Sequence, residues 1–216
     1  MNRSACRRRS VILHLMPLAL ILSACSGNAP SPSAPDSAEI ASRAACPRPM
    51  AYPRPVIYDT VYAAAPDMPV RFEVNVQATL LAPAVSGSAP AGTRWLNVGY
   101  PDYGATLFCT FTPVSSDADR SKVVGNRMER MMMNLGDNYA TQTEVASPDG
   151  GYSSVIISSL GQTLTPVQFV SQGRQWVISG ALQFNTPADA PIRPDSVKPY
   201  IDAVTADLIH AARILK

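Results

Sequence analysis

From Val70 onward the chain alternates, with Val70, Phe72, Val74 and Val76 set between Arg71, Glu73, Asn75 and Gln77. Period two with one polar face predicts a half-buried antiparallel strand. Residues 82 to 93 are small and predict a loop. Arg94 to Tyr100 and Ala105 to Thr112 predict two more strands, joined by Pro101-Asp102-Tyr103-Gly104, whose composition is that of a turn. The period then lengthens. Val124, Met128, Met131 and Leu135 form one apolar stripe on a helix that starts near Ser116 as N-cap, with Asp119 answering it, and stops at Gly136. Met132 flanks the stripe, and Met133 falls roughly opposite Val124 and is expected to be exposed.

Alternation returns at Ala140 to Ala146, Tyr152 to Ser159, Thr163 to Ser171 and Arg174 to Phe184, with turns at Asp149-Gly150-Gly151 and Gln172-Gly173. In the last of these strands Trp176, Ile178, Leu182 and Phe184 share a core face. Gly180 between them implies a bulge or close packing of a covering helix. A final helix is predicted from about Ser196 to Leu215, with Val197, Ile201, Val204, Leu208 and Leu215 on one side and Asp202, Ala206 and Arg213 on the other. His210 falls on that outer side and is expected to be solvated. Ahead of all this, Pro47, Pro49, Pro53, Pro55, Pro66 and Pro69 predict an extended surface strap rather than a helix or central strand.

The predicted order is three strands, helix, four strands, helix. Short turns between consecutive strands imply an antiparallel sheet, so the fold class is α+β: about six or seven antiparallel strands packed with two helices. That order also resembles the layout of PsbP-like domains, a likeness of layout only and no guide to function.

Composition changes the picture chiefly at the N-terminus. Lys and Arg total 18 against 16 Asp and Glu, but Arg3, Arg7, Arg8 and Arg9 precede an apolar run from Val11 to Leu22. That run is too short to span a bilayer of about 30 Å and suits a signal peptide. It ends in Leu22-Ser23-Ala24-Cys25, the form of a bacterial lipobox, which makes Cys25 the expected lipidation site. Ser26, in place of the Asp associated with inner-membrane retention, favours the outer membrane. Acyl chains contributing ~0.8 kcal/mol per buried methylene would make the anchorage permanent. Without residues 1 to 24 the chain has 14 basic and 16 acidic groups. Such a chain lacks the basic excess of a nucleic-acid binder.

Of residues 26 to 45, 15 are Ala, Ser, Pro or Gly. Such a stretch reads as a tether with a coil span of ~25 Å. The domain plan is therefore a lipoprotein signal peptide over 1–24, a lipidated flexible tether over 25–45, and a single α+β domain over 46–216. Two cysteines fall in that domain, Cys46 and Cys109. They form either a disulfide, in a compartment that permits one, or a pair of buried thiols.

Candidate chemistry is sparse. His14 falls in the signal peptide and leaves His210 as the one histidine of the mature chain, so histidine metal sites and Ser-His or Cys-His catalysis are disfavoured. There is no phosphate-cradling glycine loop, G-x-S-x-G elbow or Cys-x-x-Cys pair. No catalytic residue, metal or cofactor is assigned. Trp95, Tyr100 and Tyr103 around the second turn are either strand-end core or a docking surface, which Met133 would join.

Three segments carry a family resemblance: Tyr52-Pro53-Arg54-Pro55; Trp95-Leu-Asn97-Val-Gly-Tyr100-Pro101 continuing to Ala105-Thr-Leu; and Thr165-Pro166-Val167-Gln168-Phe169 through Gly180-Ala181-Leu182-Gln183-Phe184 and Pro187. Together with the lipobox they resemble the GldD family of gliding-motility-associated lipoproteins of the Bacteroidota. This chain departs from the family in residues 68 to 80, which lack its Cys-Pro and aromatic residues, and at Gln175 and Ser179, where the family commonly has His and Arg. The resemblance implies an outer-membrane lipoprotein that serves gliding motility and the coupled type IX secretion machinery as a non-enzymatic assembly or scaffold component. Its partners would be the membrane, through the lipid, and envelope proteins of that machinery. The alternative is a periplasmic binding module that holds a small apolar or glycan ligand between sheet and helix, with Trp95 and Tyr103 at its mouth.

Overall fold

Two strands form where the alternation places them: β4 (Arg94–Tyr100) and β5 (Ala105–Pro113) pair antiparallel, with Tyr100 opposite Ala105. A 3-10 turn, Pro101–Tyr103, joins them and is closed by Gly104 at φ 59, a left-handed conformation glycine adopts at little cost. The computed structural model describes residues 55–83, 89–138, 140–160, 163–185 and 194–216, all within one unit that spans Tyr52–Lys216. Cys25, Cys46, the tether and the Tyr52-Pro53-Arg54 segment lie outside the described residues.

Before β4 come β1 (Tyr62–Ala64), β2 (Glu73–Asn75) and β3 (Thr79–Leu81); after β5 come α1 (Asp117–Leu135), β6 (Ala140–Ala146), β7 (Tyr152–Ser159), β8 (Val167–Gly173), β9 (Trp176–Phe184) and α2 (Pro194–Ile214). The main sheet has seven strands in the order β3-β4-β5-β9-β8-β7-β6, and every neighbouring pair is antiparallel. β1 and β2 make a separate two-stranded hairpin. The expected α+β class, with two helices on an antiparallel sheet, is the fold observed.

Among the described residues five strands, not three, precede α1. The alternating stretch from Val70 yields only the short β2, because Asn75 is drawn inside. Its Nδ2 donates to the Asp59 carbonyl (2.8 Å) and its Oδ1 accepts from the Gln77 N–H (3.0 Å), which leaves Val76 exposed in a turn. Two satisfied hydrogen bonds make that burial tolerable for an amide. β3 follows at once as a short edge strand, and β1 arises in the proline-rich strap, which the sequence pattern left without a strand.

α1 starts as predicted. Ser116 Oγ accepts from the Asp119 N–H (3.1 Å), while the Asp119 carboxylate accepts from the Ser115 N–H, one residue further back than a reciprocal capping box places it. Gly136 ends the helix at φ 58.

The two helices lie against different apolar clusters. The larger one gathers Phe72, Leu96, Val98, Leu107, Phe111, Phe169, Ile178 and Leu182 from strap and sheet with Ile201, Val204 and Leu208 from α2. Each fully buried side chain of this size contributes about 1.5–3 kcal/mol. The smaller one lies under α1 and holds Met131, Val114, Ile157, Val170 and Val177, with Val124, Met128 and Leu135 packed around them. Gly180 serves neither a bulge nor a covering helix. The β5–β9 and β8–β9 registers run through it unbroken, and a Cβ there would lie 2.5 Å from Phe169 Cε1 and 2.8 Å from the Phe108 carbonyl. The glycine admits a ring from the adjacent strand.

Candidate functional site

On the α2 side of the sheet polar chemistry is concentrated but self-satisfied. Tyr103 stacks with Tyr100 and Tyr200, at centroid distances of 5.4 and 4.8 Å, and lies 4.6 Å from the tilted ring of Tyr58. The Tyr58 backbone N–H donates to Tyr103 Oη (2.9 Å), so the strap is tied to the β4–β5 turn. Tyr62 Oη donates to Asp207 Oδ1 (2.9 Å) and Tyr100 Oη to Oδ2 (3.3 Å). Burial pushes the Asp207 carboxyl up, against hydrogen bonds from Tyr62, Tyr100 and Asn75 that pull it down. The Tyr62 phenol is pushed up to about 12, first by burial and then by its bond to Asp207. Both oxygens of the carboxylate are committed, which makes it a structural group rather than a free base.

His210 corrects the expectation of a solvated histidine. Its ring stacks on Tyr62 at 3.8 Å and its Nε2 lies 2.9 Å from Glu73 Oε2. The β1–β2 hairpin covers the helix side that a helical wheel assigns to solvent. Glu73 is held below the ordinary carboxylate range, chiefly by that bond and further by Arg71. No signal within the α2 sequence marks this network, because the covering hairpin is set by residues more than 130 positions away.

The suggested docking residues divide between the two sides. Tyr100 and Tyr103 are 2% and 5% exposed and belong to the core, so they do not form a surface. Tyr103 has stacking partners on three sides, which is why a tyrosine in a turn is buried. Trp95 is half-buried and alternates with the core residue Leu96, which puts it on the opposite face, the side that carries α1. Met133, at 74% exposure, projects outward from α1 as expected. Trp95 and Tyr103 therefore do not share a mouth. Cys109 is a free, buried thiol whose pKa burial raises; its suggested partner Cys46 lies outside the described residues.

The α1 side is incompletely covered. α1 packs on β8 and β9, with Ile157 and Val155 of β7 and Ala140 of β6 in its cluster, while Phe108 and Leu81 on the β3–β5 side are exposed. Phe108 stands on β5, a strand paired on both sides, yet it is 43% exposed. Asn97 of β4 and Ala181 of β9 are its cross-strand neighbours, and Leu81 of β3 lies over Gly99. Between this floor and α1 runs a groove of about 180 Å³, bounded by Phe108, Thr110, Ser179, Arg127, Arg130 and Asn134. The Asn134 side chain donates to Gln168 Oε1 (3.2 Å), which satisfies a buried glutamine in the groove wall.

Among the described residues Arg127 and Arg130 have no ion-pair or side-chain hydrogen-bond partner, unlike Arg71, on Glu73, and Arg120, on Asp117. Burial and the neighbouring Arg130 lower the Arg127 pKa. The sequence reading missed this pair. The signal is legible once sought: no acid stands three or four positions from either arginine. Among the described residues no group of three or more His, Cys, Asp or Glu could hold a metal ion, and no described helix is long and apolar enough to cross a membrane.

Comparison with known proteins adds two findings. The family described as "Gliding motility lipoprotein GldD" matches residues 42–216. Among solved structures, the solution structure of cyanobacterial PsbP (CyanoP) from Synechocystis sp. PCC 6803 is similar at 20% identity, covering 68% of this chain and 89% of its own, with a TM-score of 0.38. No curated protein matches.

Proposed function

The chain belongs to the gliding motility lipoprotein GldD family, and from that premise we propose that it is an outer-membrane lipoprotein acting as a non-enzymatic assembly or scaffold component of gliding motility and the coupled type IX secretion machinery. Cleavage before Cys25 and acylation of its thiol would fix it to the membrane, and residues 25–45 would let the domain work away from the bilayer at the periplasmic face.

The observation that carries the contact role is the open face. An exposed ring in the interior of a sheet, beside unpaired arginines, is what a surface completed by another molecule presents. The Tyr-Asp-His-Glu network on the other face is engaged with itself and ties the strap to α2. The small-ligand alternative, with Trp95 and Tyr103 at one mouth, loses that support, since the two occupy opposite faces and Tyr103 is packed between the rings of Tyr100 and Tyr200.

Crosslinking of intact envelopes, followed by capture of the lipoprotein, tests the proposal. Motility or secretion components should be recovered. Recovery of none of these, or unchanged export of secreted cargo in a deletion strain, would refute it.

A further inference from the structure

Phe108 and the Arg127–Arg130 pair share one groove, and neither has a structural explanation within the domain. A large aromatic on an interior strand is ordinarily covered, and here Phe108 is 43% exposed in a groove beside α1. Arg127 is half-buried beside a like charge, an arrangement that costs free energy until an anion arrives. Guanidinium groups three residues apart on one helix face suit two carboxylates of a segment that crosses the helix. Thr110, Ser179 and Asn134 add polar groups able to bond a main chain. The volume, about 180 Å³, is below the roughly 300 Å³ minimum of small-molecule sites and fits one or two side chains.

Resting on the contact role above, we propose that this groove receives an acidic segment of a partner protein, with carboxylates on Arg127 and Arg130 and one large apolar side chain against Phe108. The chain's own tether is a poorer occupant: residues 26–45 offer Asp36, Glu39 and Ile40 but no aromatic ring.

The test is in-cell photocrosslinking of the full lipidated chain carrying Phe108→p-benzoylphenylalanine, with the crosslinked peptide sequenced. The expected product joins position 108 to a segment of another protein that has at least two Asp or Glu within a few residues. Its yield should fall at least tenfold when R127E and R130E are added, while R127K with R130K retains most of it. Circular dichroism melting of each variant separates loss of contact from loss of fold.

A crosslink to residues 26–54, to a second copy, to lipid or to a segment without acids overturns the proposal. So does no crosslink, or a yield indifferent to charge reversal in a folded variant. Export from the deletion strain is a separate readout: unchanged export with an acidic-segment crosslink would sink the secretion role and leave the groove assignment standing.

Discussion

The two faces of the sheet differ in how far their polar side chains find partners within the domain. On the α2 face every prominent polar group is matched: Asp207 holds two tyrosyl hydroxyls, Glu73 holds His210 and Arg71, and Asn75 ties two stretches of backbone. On the α1 face Arg127 and Arg130 go unmatched and Phe108 is left uncovered. A face that serves only folding completes its own hydrogen bonds, since each buried group left unmatched costs about 1–3 kcal/mol. A face with arginines and an aromatic to spare is where the proposed partner would be added.

Truncation should separate them most sharply. Phe111→Ala, in the closed core, is expected to lower the urea-unfolding free energy by about 4 kcal/mol, whereas Phe108→Ala, one face over on the same strand, should change it by less than about 1. Equal losses would mean that Phe108 is core after all. Gly180→Ala comes next. Its methyl would strike the Phe169 ring and the Phe108 carbonyl, at a cost of about 2–3 kcal/mol in the same assay.

The smallest effect is the most diagnostic of the matched network. Glu73→Gln should cost about 1.5 kcal/mol at pH 7, the worth of a charge-assisted hydrogen bond. Because the folded carboxyl is held below its ordinary value, its contribution is complete above the unfolded pKa of about 4.3 and is lost as the pH falls through the lowered folded value. The gap between wild type and variant, read from unfolding midpoints, should therefore begin to narrow below about pH 4.3 and close once the pH is well below the lowered folded value. A gap that persists there would show that packing, not charge, is at stake.

How far the sequence disclosed these faces depends on the range of the interactions. Val124, Met128, Met131 and Leu135 made α1 legible, and Ser116 and Gly136 marked its ends, because caps and stripes are local. β4 through β9 could be read from alternation and turn residues for the same reason. The β1–β2 hairpin could not. Its path over α2 depends on Tyr62 meeting Asp207 and Glu73 meeting His210 across well over a hundred positions. His210 was thus misassigned to solvent, and the two turn tyrosines, open to either reading, proved to be core. Of the suggested docking residues, Trp95 lies on the α1 side of the sheet and Met133 on α1 itself, exposed. Phe108 and the arginines escaped notice because only the register of β5 and the reach of α1 bring them together.

On the proposed contact role the α1 face meets the partner while the α2 face holds the domain in shape. The most direct measurement is export of secreted cargo in a deletion strain supplied with the chain carrying Phe108→Asp, alongside the melting temperature of that variant. The account predicts a Tm within about 3 °C of wild type and failure to restore export. Export restored to the wild-type level by a stably folded Phe108→Asp chain would contradict it.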